Sequence, residues 1–177
     1  MRNKLILILF ILLAIFMLLH FEAERNKVIY SAPTIKQVNE FITTNSINAV
    51  AIKDASDFTI VLFTNTASWG HYILYQDQYG KLYDSWVKAN GIIQDNPVSL
   101  GCVASGKSPF VTIIINDEEI LKNATETEVT FKDGTIINED IVGKGTVVLI
   151  NNDNNKKPVT YSKLIIYDKD KKILYEH

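Results

Sequence analysis

The sequence predicts a mainly β fold: an antiparallel β-sandwich or partly open barrel of about 8–10 short strands, with one N-terminal amphipathic helix. Short runs rich in Ile, Val, Tyr, Phe and Thr recur from Val50 onward, each bounded by Gly, Asp, Asn or Pro. Several of these runs are joined by links too short for a parallel crossover, so they must pair antiparallel. A hydrophobic signal or anchor helix is expected to precede this fold.

The N-terminus has the pattern of a membrane-targeting segment. Arg2 and Lys4 precede Leu5 to Leu19, which are fifteen consecutive apolar residues. At 1.5 Å per residue this run spans about 22 Å, short of a hydrocarbon core of about 30 Å but close enough for an anchor. Residues 1–21 are therefore predicted to be a signal peptide or an N-terminal membrane anchor, followed by a connector (22–32) and a mainly β domain (33–177). Cationic residues before the apolar run predict a cytoplasmic N-terminus and an extracytoplasmic domain; cleavage would make the domain secreted.

The domain is predicted to begin with a helix. Pro33 suits a first helical turn, Ile35, Val38, Phe41 and Ile42 recur at helical spacing, and Asn45 offers a stop. The strands predicted after it are Phe58 to Phe63, His71 to Gln76, Lys81 to Val87, Val98 to Ala104, Phe110 to Ile115, Glu128 to Phe131, Thr135 to Asn138, Thr146 to Ile150, Tyr161 to Tyr167 and Lys172 to Tyr175. The stretch from Glu119 to Thr127 fits either a helical turn or a loop.

Three links between these runs have turn chemistry: Asp77 to Gly80, Lys132 to Gly134, and Asp168 to Lys171. The Asp-Gly pair of the middle one suits the positive φ angles that a tight hairpin requires.

Composition excludes several classes of protein. The formal net charge is −2, and it becomes −4 once the two N-terminal cations are left out. Such a weakly acidic domain has no electrostatic basis for binding nucleic acid. Cys102 is the only cysteine, so an intramolecular disulfide is impossible. The three histidines are scattered and lack zinc-site spacing, and no cofactor is expected.

A hairpin rich in aromatic residues, from Trp69 to Trp86, is the most suggestive feature. Its candidate residues for a partner or ligand surface are Trp69, Tyr72, Tyr83 and Trp86. Aromatic side chains exposed on a sheet suit a sugar, a peptide or a partner protein. Cross-strand aromatic pairs also stabilise antiparallel sheets without any ligand, and alternating side chains cannot all share one face.

Gly101 to Ser108 match the letters of a phosphate-binding P-loop. That motif needs a helix at its end, whereas a strand run begins at Phe110, so nucleotide binding is not predicted. Cys102 and His71 could form a nucleophile and base pair, but a thiol inside a strand is expected to be buried in the core. Calcium ligation by Asp153, or by Asp168 with Asp170, is an alternative to plain turn chemistry.

These observations favour a non-catalytic, membrane-anchored or secreted extracytoplasmic domain that binds a protein or an envelope component. One alternative is an envelope hydrolase that uses Cys102. Another is a carbohydrate-binding module that uses the Trp69 to Trp86 hairpin, which requires both tryptophans to be exposed on a common face.

Overall fold

The computed structural model describes residues 28–65, 68–90, 96–104, 108–152 and 158–177, together with residues 12, 13, 15–17 and 20, which are helical. From residue 28 onward its elements are β1 (Tyr30–Ser31), α1 (Ile35–Thr44), β2 (Ala49–Asp54), β3 (Thr59–Thr64), β4 (Ser68–Asp77), β5 (Leu82–Asn90), β6 (Val98–Val103), β7 (Phe110–Ile115), α2 (Glu118–Asn123), β8 (Ala124–Phe131), β9 (Ile136–Asp140), β10 (Thr146–Ile150), β11 (Tyr161–Asp168) and β12 (Ile173–Glu176).

The predicted mainly β, antiparallel fold is confirmed. Sheet A has the order β2-β3-β4-β5, and the short β1 pairs with the end of β4 beyond β3. Sheet B has the order β10-β7-β6, and sheet C the order β12-β11-β8-β9. Every pairing in the three sheets is antiparallel.

Sheet B lies between the other two sheets, because its two faces contribute to two different cores. In β10, Val148 and Ile150 pack with Ile60 and Leu62 of sheet A. The alternate β10 residues, like Ile113 of β7, pack with apolar residues of sheet C. Burial on both faces explains why β7 is apolar at every position except Thr112 rather than alternating.

Helix α1 covers the outer face of sheet A. Thr34 is its N-cap and forms a capping box with Gln37, so the helix begins just after the predicted Pro33. Val38 is buried against Val61 and Leu74. The predicted amphipathic helix is thus confirmed.

Two strands were not predicted. β1 lies inside the predicted connector, where Tyr30 and Ser31 pair with Asp77 and Gln76. β2 alternates half-buried and exposed residues and pairs with β3. The undecided stretch divides in two, because α2 ends at Asn123 and β8 begins at once.

The three turns lie where they were predicted, and residues within each turn determine its conformation. Gly80 and Gly134 have φ angles of 80° and 89°. Asp168 Oδ1 accepts hydrogen bonds from the backbone N–H groups of Asp170 and Lys172, each at 2.9 Å. These two aspartates therefore form plain turn structure, whereas Asp153 lies outside the described residues.

Most of the predicted signal or anchor segment, residues 1–21, also lies outside the described residues. Among the residues that are described, none belongs to a helix that is both long and apolar enough to span a membrane.

Candidate binding surface at the β5 edge

Strands β4 and β5 form a long, regular ribbon at one side of sheet A. Their register runs without a shift from Ser68 opposite Asn90 to Gln76 opposite Leu82. Asp77 fixes the turn between them, since its Oδ1 accepts hydrogen bonds at 2.9 Å from the backbone N–H groups of Tyr79 and Lys81. Desolvation opposes ionisation of Asp77, yet these bonds and one from the Tyr83 hydroxyl together lower its pKa below the ordinary value.

The ribbon separates the four candidate aromatic residues into two pairs. Tyr72 lies directly opposite Trp86, so their side chains share the face on which α1 packs. Trp69 and Tyr83 are at odd-numbered positions, so they point to the opposite face of the ribbon from Tyr72 and Trp86. The two tryptophans therefore do not share a face.

Trp69 belongs to the core between sheets A and B. Only 6% of its surface is exposed, and it packs with Leu62, Phe110 and Val148. Gly101 of sheet B makes room for it, because a Cβ atom there would lie 2.8 Å from the indole ring. The condition for the carbohydrate-binding alternative, both tryptophans exposed together, is not met.

Trp86, in contrast, is 57% exposed. Its ring centroid lies 6.5 Å from that of Tyr72, which in turn contacts Phe41 of α1 and Phe63 of β3 at 5.3 and 5.2 Å. Trp86 is thus the solvent-exposed end of an aromatic series that begins under the helix. The half-buried Tyr72 ring thus supports one side of an indole that is otherwise in contact with water.

On the other face of the ribbon, Tyr83 is half-buried. Its ring stacks on Tyr75 with a centroid distance of 5.6 Å, and the Tyr30 ring packs edge-on against both. The hydroxyl of Tyr83 donates to Asp77 at 3.1 Å. These contacts give Tyr83 a structural role at the closed end of the hairpin.

Strand β5 has a free edge. Asp77 N–H donates to the Lys81 carbonyl oxygen, which marks the odd-numbered residues of β5 as those bonded to β4. The N–H and C=O groups of Leu82, Asp84, Trp86 and Lys88 consequently point away from β4. In the described part of the chain no strand other than β4 pairs with β5.

The side chains along this edge are exposed from Asp84 through Lys88. Trp86 projects on one face and Val87, which is 53% exposed, on the other. We call residues 82–88 with their outward backbone groups the β5 edge. It combines a row of unpaired hydrogen-bonding groups with apolar side chains, an arrangement that suits pairing with another chain.

Cys102 lies in β6, but the expectation that it is buried is wrong, because its thiol is exposed. Its neighbours Leu100 and Val103 pack into the two different cores, so Cys102 lies on the sheet C side of β6 together with Leu100. Burial, and then the nearby Cys102 and Tyr175, raise the pKa of Tyr161 on that side.

His71 lies on the other side of sheet B. It is 2% exposed, and its ring contacts Phe110 with a centroid distance of 5.0 Å. Among the described residues neither ring nitrogen has a hydrogen-bond partner. Desolvation lowers the pKa of His71 to about 4. Because the layer of sheet B separates this imidazole from Cys102, the two do not form a nucleophile and base pair.

The segment with P-loop letters connects two antiparallel neighbours. β6 ends at Val103, and β7 begins at Phe110 and pairs back along β6. A strand thus takes the place of the helix whose N-terminus would hold a phosphate.

A cleft of about 500 Å³ lies between β2 and the segment Gly143–Val148. Glu139 lines it and pairs with Lys53 at 3.0 Å and with Lys144 at 3.8 Å. The two ammonium groups thus share one carboxylate. Within the described ranges, no group of three or more His, Cys, Asp or Glu side chains is placed to hold a metal ion.

Neither models of known protein families, nor curated proteins, nor solved structures give a significant match to this chain.

Sequence reasoning singled out the hairpin from Trp69 to Trp86 but not the outer edge of β5. The alternation of Tyr72 and Tyr75 already indicated two faces, and Trp69 and Trp86 are likewise separated once their register is known. Which face is covered depends on sheet B, to which the ribbon sequence gives no clue. The polar residues Asp84, Ser85 and Lys88 around Trp86 were the available sequence signal for an edge strand.

Proposed function

We propose that this chain is a non-catalytic, membrane-anchored or secreted extracytoplasmic domain that binds another polypeptide through the β5 edge. The observation that supports this most strongly is the row of backbone groups along β5 that no described strand pairs with, flanked by the exposed side chains of Trp86 and Val87. The location outside the cytoplasm rests on the cationic start and apolar run of residues 1–21.

An extended segment of a partner can add to β5 as a further strand of sheet A. Its main chain would bond the outward groups of Asp84, Trp86 and Lys88, as in other cases of β-strand addition. A side chain of the segment on the α1 face would meet Trp86 and cover part of its exposed ring. The hydrogen bonds supply affinity, and the indole and the two flanking charges supply selectivity.

The alternative of an envelope hydrolase has less support. Cys102 is accessible, but His71 is on the far side of sheet B. In the described part of the chain, the Tyr161 hydroxyl lies on the Cys102 side of sheet B, and burial raises its pKa, so it is not a general base at neutral pH. Among the described residues, no cation or helix N-terminus is placed beside Cys102 to activate the thiol as a nucleophile.

Site-specific photo-crosslinking tests the proposed function. A benzophenone amino acid replaces Trp86 in the full-length protein in its native membranes, and the matched control places it at Ile136, which is 56% exposed on β9. We expect a polypeptide adduct from position 86 and a weaker one or none from position 136.

A proline substitution in β5 provides a second test of the same proposal. Asp84→Pro removes a backbone N–H that points away from β4, so sheet A keeps its internal bonds while the β5 edge loses a donor. The adduct at position 86 should decrease with this change. Equal adducts at both positions, or an adduct that the proline leaves unchanged, would show that β5 is not the docking edge.

A further inference from the structure

The β5 edge is self-complementary. Asp84, Trp86 and Lys88 all project on one face of the strand, and all three have outward-pointing backbone groups. When two copies of β5 run antiparallel around a twofold axis at Trp86, Asp84 of each copy lies opposite Lys88 of the other. Two pairs of opposite charge then flank a central pair of tryptophans.

The alternating direction of the backbone N–H and C=O groups along β5 allows this register. In an antiparallel pair, residues whose N–H and C=O groups both point to the partner must lie opposite residues of the same kind. Asp84, Trp86 and Lys88 are all of that kind, as the bond from Asp77 N–H to the Lys81 carbonyl fixes. The register centred on Trp86 therefore satisfies backbone groups and side chains together.

Registers shifted by two or four residues have less favourable charge pairing. A slip of two residues leaves Asp84 and Lys88 opposite uncharged residues. A slip of four places Asp84 opposite its own copy, or Lys88 opposite its own copy, and like charges directly opposite destabilise a pair. Charge thus selects one alignment among those that the backbone permits.

We infer that the partner of the β5 edge is a second copy of this chain, paired antiparallel through β5 with Trp86 on the twofold axis. This inference rests on the proposed function and names its partner. Each copy covers the other's exposed indole, and sheet A continues across the dimer. An edge pairing of this kind has a small interface, so tethering both copies to one membrane would strengthen it by raising their effective concentration.

Disulfide trapping in full-length protein with Cys102→Ser tests the register. Trp86→Cys places two thiols across the axis, where paired Cα atoms are about 5.5 Å apart and a disulfide can form. Asp84→Cys alone should not crosslink, because its two copies would be about 14 Å apart. A mixture of Asp84→Cys and Lys88→Cys proteins should crosslink.

Charge exchange gives a readout that retains Trp86. Asp84→Lys and Lys88→Asp proteins should each dimerise roughly tenfold more weakly than wild type in detergent, since each replaces two attractive pairs with two repulsive ones. Their mixture should recover, because opposite charges meet again across the axis. Sedimentation velocity measures the dimer dissociation constant of the wild type, of each variant and of the mixture.

Three kinds of result would overturn the inference: crosslinking at the wrong position, association that does not depend on the charges, and a protein that stays monomeric. Asp84→Cys crosslinking as well as Trp86→Cys would exclude the register, and unaltered association of both charge variants would exclude β5 pairing between copies. If the protein stays monomeric but position 86 still gives an adduct with a different polypeptide, the proposed function is supported and the inference of a second copy is refuted. A monomeric protein that gives no such adduct would refute both the proposed function and the inference of a second copy.

Discussion

A change at His71 should alter the pH dependence of the protein's stability. Its imidazole is buried beside Phe110, and its cross-strand neighbours Leu62 and Val87 cannot compensate a charge. Desolvation lowers the pKa to about 4 from 6.5. Between these values the unfolded chain binds a proton that the folded chain does not, so stability falls as pH decreases from about 6.5 to about 4.

The magnitude follows from the size of the shift. One pKa unit corresponds to about 1.4 kcal/mol, so this group removes about 3 kcal/mol of unfolding free energy between pH 7 and pH 4. His71→Leu has similar volume, cannot be protonated and removes two nitrogens that lack partners in the described residues. At pH 7 we expect it to be neutral or stabilising by about 1 kcal/mol.

Urea unfolding of the full-length proteins in non-ionic detergent at pH 7, 6, 5 and 4 provides the assay. Carboxylates titrate in both proteins and cancel in the difference between them. The leucine variant should gain about 3 kcal/mol relative to wild type as the pH falls from 7 to 4. His177→Gln, which removes an exposed imidazole, serves as the matched control for the loss of a histidine. A difference between wild type and His71→Leu that stays constant with pH would refute the reasoning.

Three further changes test the fold and the edge. Gly70→Ala should destabilise by roughly 2–3 kcal/mol in urea unfolding, because the added Cβ would overlap the carbonyl oxygen of Val87 across the β4–β5 ladder; an unchanged midpoint would contradict that packing. Thr34→Ala should cost about 1 kcal/mol through the lost cap of α1, with Thr34→Ser close to wild type in thermal unfolding. Trp86→Pro should leave the fold stable while Val87→Pro should cost roughly 2–3 kcal/mol, since only the second removes a donor to β4; equal losses by circular dichroism would refute the assigned edge.

Local patterns determined the elements that depend on neighbouring residues. The spacing of Val38, Phe41 and Ile42 predicted α1, which buries that face against sheet A. The runs Phe110–Ile115 and Thr146–Ile150 are strands with the predicted bounds. β2 was missed because Ala and Lys weaken its strand pattern; its alternation becomes clear only when it pairs with β3.

Burial was less predictable than secondary structure. Cys102 is inside a strand, as predicted, but its side chain is exposed. Trp69 and Trp86 have the same side chain and belong to the same ribbon, yet one is in the core and the other is in contact with solvent. A strand has two faces and two edges, and its own residues do not say which of them another element covers.

The sequence by itself determined that this chain forms short antiparallel strands after one helix, because periodicity, capping and turn chemistry act between residues close in the chain. Only the tertiary structure decided that sheet B lies between two others, that His71 is buried without a hydrogen-bond partner among the described residues, and that no described strand covers the outer edge of β5. Those features come from contacts between residues distant in sequence. Strand pattern constrains such contacts but does not select among them, since several sheet orders satisfy the same alternation.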